Sequence, residues 1–276
     1  MAIDLFSNKN HSFFSSKKIP YLVLGIILGL SFLFFIRSCS FNNHPDMTFH
    51  IGQDSRWATL NLMGKERNLT AFNNELLSSI AKLENFNIRI EITSAADLIS
   101  DLEEGTLQGA LTSVQPSYLN EENLIFSNPY FHIGPVLIIP STAPIEGWND
   151  KRKKIIGIPL YSPILTSLEE DSTIQTKIYD DILHALSDLS DHKIDGAIFP
   201  AIPAKTYVRT FYRHELKIAT LPLTDEAIRL TALKNEKGIM LIELFNKGLA
   251  ALKKDETYDK FLDRWSLINV EKIENK

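Results

Sequence analysis

LTAFNNELLSSIAKLENFNIRIEI, Leu69 to Ile92, sets two periodicities back to back. Phe72, Leu76, Leu77, Ile80 and Leu83 recur at three- and four-residue spacing, which predicts an amphipathic helix over 69–83. After a polar break, NIRIEI alternates in the two-residue period of a strand over 87–92. Upstream, MTFHIGQD from Met47 alternates as a strand and closes at Gly52. Downstream, Asp97 to Leu102 reads as a short helix stopping near Gly105, and LQGAL, ending at Leu111, as another strand. Strand, helix, strand, helix, strand is the order of a mostly parallel sheet with helices on its faces.

The pattern then resets. Val136 to Ile139 is a continuous apolar run ended by Pro140. A second α/β series starts with KIIGI at Lys154, passes a helix predicted over Thr173 to Leu189 and reaches the strand DGAIF at Asp195 to Phe199. LKIATLP, Leu216 to Pro222, is a further strand, and after TALKN a long amphipathic helix is predicted around Met240 to Leu252. No internal repeat or low-complexity tract interrupts the series.

The chain has 276 residues, 44% of them hydrophobic and 23% charged, enough to bury a sizeable core. From Met47 onward it carries 25 basic and 32 acidic groups, a net −7. An acidic body without a basic run argues against nucleic-acid binding, which draws its affinity from cationic contacts to phosphate. The seven histidines show no HxH or HxxxH pair, so no metal and no cofactor is expected.

Ile19 to Ile36, IPYLVLGIILGLSFLFFI, is 18 residues without a charge, with Lys17 and Lys18 before it and Arg37 after. That length reaches across a bilayer core, and the leading lysines place the N-terminus in the cytoplasm and the body beyond the membrane. Cys39, the single cysteine, follows in Ile36-Arg37-Ser38-Cys39. This resembles a lipoprotein processing box except at Arg37, where a small residue is usual. Two readings stand: lipidation at Cys39, or an uncleaved signal-anchor with an incidental thiol. Either tethers the body on the periplasmic side of the cytoplasmic membrane, behind a polar linker at 37–46.

Four segments in order resemble family 3 of the bacterial extracellular solute-binding proteins, the polar amino-acid receptors of ABC importers. They are IGQD at Ile51 to Asp54 with Trp57 behind it; LTAFNNELLSSIAK; DLISDLEEGTLQGAL leading to FSNPY at Phe126 to Tyr130; and LPLTDEAIRLTALKN with GLAALKKDETYDKFLDRW, closing at Trp265. The resemblance implies an α/β, two-lobed periplasmic-binding-protein-like (type II) fold with two crossing hinge strands and a ligand cleft between the lobes. Lobe 1 would be 47–139 plus 223–270, lobe 2 140–222, with a tail at 271–276. The expected partners are a small polar solute, an ABC permease and, through the N-terminus, the membrane.

The same resemblance implies ligand contacts. Asp54 matches an acidic residue near the cleft mouth, and Trp57 an aromatic that stacks on the ligand, or else is core. Thr112 and Ser113 match a stretch facing the ligand, or else only end a strand. Tyr161 and Ser162 fall where a second-lobe helix opens, with Ser162 ahead of Pro163 suited to an N-cap. Two family anchors are missing. The Arg that clamps the ligand carboxylate aligns with Asn120, and no Lys or Arg occurs between Arg89 and Lys151. The Asp that receives the ammonium aligns with Pro200. A desolvated zwitterion without charged partners loses on the order of several kcal/mol at each end, so a divergent ligand or pose is expected. Arg229 stands at a usually small position and reads as solvent-facing, with a displaced anion contact as the alternative. Two other functions fit the scaffold: a docking protein whose cleft binds no small molecule, and a dehydratase using Asp54 as its acid or base.

Overall fold

The computed structural model describes residues 47–57, 60–144 and 153–271. The apolar segment 19–36, the linker and Cys39 lie outside them. Among the described residues no helix is long and apolar enough to cross a membrane.

The first series folds as its periodicity predicts: β1 (Thr48–Asp54), α1 (Glu66–Leu83), β2 (Asn87–Thr93), α2 (Leu98–Glu103) and β3 (Gly109–Thr112). Short strands β4 (Leu124–Phe126) and β5 (Phe131–His132) lead to β6 (Pro135–Pro140), β7 (Lys154–Pro159), α3 (Leu165–Glu169) and β8 (Ile174–Tyr179). Then come α4 (Ile182–Ser190), β9 (Gly196–Pro200), α5 (Ala201–Phe211) and β10 (Leu216–Ile218). The chain closes through β11 (Ala227–Leu233), α6 (Glu236–Lys254) and α7 (Thr257–Arg264).

These strands make two sheets. The first runs β2-β1-β3-β11-β4, with β5 paired to β11; the second, read from its far edge, runs β8-β7-β9-β6-β10. In each, a central strand has parallel neighbours on both sides, and the fourth strand is antiparallel to the third. One topology is therefore built twice without repeated sequence. The run 136–139, expected in the first lobe, is hydrogen-bonded in the second sheet, where Leu137 pairs with Ile198 and Ile139 with Lys217.

The predicted helix over 173–189 is two elements, β8 and α4. Ile174, Ile178, Ile182 and Leu186 are spaced by four, which mimics a helix, but the first two lie on an edge strand and α4 starts only at its cap. There the Asp181 side chain accepts from the His184 N–H at 3.0 Å. Helix α5 follows Pro200 directly and contains Pro203, punctuation that hid it. The apolar stripe of α1 ends at Ile80 and Ala81, leaving Leu83 exposed.

Two segments cross between the sheets and are bonded to each other. The N–H groups of Ile133 and Gly134 donate to the Glu226 carbonyl at 2.9 and 3.1 Å, and Leu223 N–H donates to the Pro135 carbonyl at 2.7 Å. A Cβ on Gly134 would lie 2.7 Å from the Thr224 carbonyl oxygen, so this contact requires glycine. One apolar cluster continues across the crossing through Phe131, Val136, Ile138, Phe199, Val208 and Ile228.

The FSNPY segment pins the return strand. Ser127 N–H donates to the Leu230 carbonyl at 2.8 Å, and Leu230 N–H donates back to Ser127 Oγ at 3.0 Å. Tyr130 is buried, stacks on Phe72, and its hydroxyl donates to Asn73 Oδ1 at 3.0 Å. Asn73 in turn donates to Gln53 Oε1 at 3.3 Å, and Gln53 to Asn74 Oδ1 at 2.7 Å. Buried polar groups of strand and helix thus satisfy one another, as a buried network must.

Candidate functional site

In open α/β sheets the free space for a ligand lies beyond the carboxyl ends of the strands, where neighbouring connections diverge. In the first sheet those ends are Asp54 on β1 and Thr112 on β3, followed by Ser113. The register of the two strands runs to Gln53 opposite Leu111, so Asp54 and Thr112 come next, side by side. Across β3 from the other side, Thr112 pairs with Arg229 of β11. Paired residues share a sheet face. Asp54, Thr112 and Arg229 therefore line one face, on three adjacent strands, at one level.

Arg229 corrects the sequence reading. It is only 6% exposed, not solvent-facing, because β11 is an interior strand with six of its seven residues buried. Its Nη1 donates to Gln115 Oε1, and its Nη2 to the Asp225 carbonyl at 2.9 Å. Burial pushes the guanidinium below its ordinary pKa, and the nearby Asp225 charge partly offsets this. Gln115, which sequence reading passed over, stitches the loop after β3 to β11. Its Nε2 donates to the carbonyls of Ser113 at 2.7 Å and Ala227 at 2.9 Å, while its Oε1 also accepts from Ala227 N–H at 3.3 Å.

The other expected contacts are placed as follows. Asp54 is buried and its Oδ1 accepts from Arg56 N–H at 3.1 Å. Thr112 is buried, and its hydroxyl bonds that of Thr231 at 3.0 Å. Ser113 is half-buried. Asn120 braces its own loop, donating to the Gln115 carbonyl and accepting from Ser117 N–H, both at 2.9 Å. Trp57 is 2% exposed, packed in the main core, with φ at +50°. A bulky residue in that left-handed region is strained, by about 1–3 kcal/mol.

In the second lobe Tyr161 is 90% exposed. Ser162 is not a side-chain cap: α3 starts later, with Ile164 at its N-cap, and only the Ser162 carbonyl takes part, accepting from Leu165 N–H at 3.2 Å. The turn at 161–164 displaces the helix start beyond the reach of the hydroxyl. Pro200 is the exposed N-cap of α5. Among the described residues two buried side-chain polar atoms lack a hydrogen-bond partner, Trp57 Nε1 and Ser162 Oγ. Leaving such an atom unsatisfied costs roughly 1–3 kcal/mol. No group of three His, Cys, Asp or Glu that could hold a metal occurs among the described residues.

Residues 49–268 match the sequence model of the bacterial extracellular solute-binding proteins, family 3. A probable histidine-binding protein of Neisseria gonorrhoeae is 18% identical over 227 residues, covering 80% of this chain and 84% of its own. The ABC transporter arginine-binding protein 1 of Escherichia coli K12 is 21% identical over 234 residues, covering 83% and 95%. Among solved structures, the L-cystine solute receptor of Neisseria gonorrhoeae in its unliganded open conformation superposes with a TM-score of 0.62 at 16% identity, covering 80% of this chain and 93% of that one. The two-sheet architecture is the type II periplasmic-binding-protein fold.

Proposed function

The chain belongs to family 3 of the bacterial extracellular solute-binding proteins, and from that premise we propose that it is the membrane-tethered receptor of an ABC importer for a small, amino-acid-like solute. The named relatives are histidine- and arginine-binding proteins, which supports a binding role for this chain over a catalytic one. The tether is the apolar segment 19–36 or a lipid on Cys39, with the body on the periplasmic side. The ligand lies between the lobes, against Asp54, Trp57, Thr112 and Ser113 on one side and Tyr161 and Ser162 on the other. Hinge closure acts about the crossing segments near Gly134 and Thr224.

One observation carries this reading. The two orphaned buried polar atoms, Trp57 Nε1 and Ser162 Oγ, belong to residues the family resemblance marks as ligand contacts, one in each lobe. A buried donor left unpaired is tolerated where a ligand completes it. The strained Trp57 backbone supports the same reading, since strain gathers at binding sites.

Thermal unfolding of the full chain in detergent, with each of the twenty L-amino acids in turn, tests it. A ligand at a hundred times its Kd adds about 2.7 kcal/mol of stability, a clear rise in Tm. Trp57→Phe removes the Nε1 donor together with part of the fused ring, so affinity should fall about 5- to 10-fold or more, and the cavity left in the core should lower the Tm of the free protein as well. Unchanged affinity would remove Trp57 from the site. A competing reading, a docking protein with an empty cleft, draws support from Asn120, which commits both its side-chain groups to its own loop. No Tm response to any amino acid in a well-folded chain would favour it.

A further inference from the structure

Among the described residues Arg229 is a buried cation without an ion-pair partner, felt only at a distance by the charge of Asp225. Its guanidinium has five N–H donors in a planar fork, and the acceptors it meets are an amide oxygen of Gln115 and the main-chain carbonyl of Asp225. Among the described residues it forms no ion pair with Asp or Glu. Asp225, the nearest acidic residue by its electrostatic effect, has an exposed side chain. A buried charge is retained when something pairs with it, because an uncompensated one is strongly destabilising.

Position adds to this. Arg229 pairs with Thr112 at the carboxyl end of β3, on the face that Asp54 shares, where a ligand of such a sheet sits. Gln115 and the Asp225 carbonyl hold the guanidinium in place without neutralising it. The family's carboxylate clamp, meanwhile, has no cation in the loop before Phe126: Asn120 stands there, and its amide faces its own loop.

We infer that Arg229 is the carboxylate anchor of this receptor, delivered by the return strand β11 rather than by the loop between β3 and β4, and that the ligand is a small carboxylate. The inference rests on the receptor reading above for the identity of the ligand, but the anion site is a property of Arg229 itself. A carboxylate matches the guanidinium fork with two parallel N–H···O bonds, which Lys or an amide does not reproduce. Binding then removes the penalty of the unpaired cation as well as making new bonds.

Two measurements on the full chain in detergent separate the inference from the reading it rests on. In the first, sodium acetate is the probe and the side-chain Nε–H resonance of Arg229, identified by its loss in Arg229→Gln, is followed by NMR. The resonance should shift saturably with acetate and not with acetamide. A resonance unmoved by acetate overturns the anchor, whatever the natural ligand is. In the second, each L-amino acid that raises Tm is compared with its C-terminal amide by calorimetry. The acid should bind at least 100-fold tighter than the amide in the wild type, and less than 5-fold tighter in Arg229→Gln and Arg229→Lys. Tight amino-acid binding with that preference intact in Arg229→Lys overturns the anchor and leaves the receptor reading standing. A shift with acetate but no response to any amino acid keeps the anchor and overturns the amino-acid-like ligand.

Discussion

The Tyr258 hydroxyl donates to the main-chain carbonyl of Tyr130, joining the last helix to a segment 128 residues earlier. Both phenols are buried, and burial pushes both pKa values well above the ordinary 10.0. The consequence for stability has a definite sign. In the unfolded chain both phenols ionise near pH 10, whereas the native state keeps them protonated. The stabilisation is therefore complete below about pH 10 and falls above it, by up to about 1.4 kcal/mol per phenol per pH unit. Raising the pH past 10 should unfold the protein cooperatively. Absorbance at 295 nm should show these two phenolates appearing only with the loss of the circular dichroism signal. Full phenolate absorbance in a protein still folded would contradict the burial argument.

Gly134 faces the Thr224 carbonyl across the crossing, with 2.7 Å left for a Cβ. Gly134→Ala forces the two crossing segments apart and strains the bonds that Ile133 and Gly134 make to Glu226. Such overpacking costs about 1–3 kcal/mol. Urea unfolding should show the unfolding free energy lowered by that amount, as a lower midpoint at unchanged slope. A hinge role adds a second effect, a changed angle between the lobes, which small-angle scattering would read as an altered radius of gyration. A variant as stable as the wild type would mean the segments separate freely.

How much of this was legible in the sequence depends on where each residue's partners lie. The periodicity of 69–92 exposed α1 and β2 because their apolar positions follow local geometry. The FSNPY segment was legible as a motif, and its Ser127 and Tyr130 bonds to β11 and α1 explain why those residue types stand there. Arg229 was misread for a physical reason. A charge inside AIRLTAL suggests a solvent face, and only the sheet order shows that β11 lies between β3 on one side and β4 and β5 on the other. Gln115 left no local signal at all, since its bonds to Ala227 span 112 residues. Ser162 looked like a cap because Pro163 follows it, but a turn intervenes before α3.

Asp188 of α4 is the clasp of the edge strand β8. It accepts from Lys177 Nζ at 2.8 Å and Tyr179 hydroxyl at 2.7 Å, both on β8, and from Lys193 Nζ at 3.0 Å. These bonds hold its carboxyl far below the usual carboxylate range, and raise Lys177 to about 12. A carboxylate with a lowered pKa stabilises the fold above its unfolded value of 3.8 and loses that contribution as the pH falls below it. Asp188→Asn should therefore abolish part of the acid sensitivity and speed hydrogen exchange in β8 at neutral pH. Exchange in β1, in the other sheet, should not change. Equal acceleration in both strands would show a global effect instead of a local clasp.

Gln115→Glu gives the most pointed test of the arrangement around Arg229. The substitution is nearly isosteric and turns the amide oxygen that meets Nη1 into a carboxylate. The buried guanidinium then gains an internal anion, which should raise Tm even though the donor bonds of Nε2 to Ser113 and Ala227 are lost. The same internal carboxylate competes with a ligand's, so affinity for any carboxylate ligand should fall by at least tenfold. Gln115→Ala separates the two effects. It removes the internal acceptor without replacing it and leaves Arg229 held by the Asp225 carbonyl alone, so Tm should drop, by about 2–4 kcal/mol of stability. A bound carboxylate should recover more stability in Gln115→Ala than in the wild type, because it then supplies the acceptor that Gln115 gave. Calorimetry with acetate on the three proteins reads this directly: the enthalpy of binding should be most favourable for Gln115→Ala, intermediate for wild type and near zero for Gln115→Glu. The reverse order would mean that Gln115, and not an external anion, is the partner Arg229 was buried to meet.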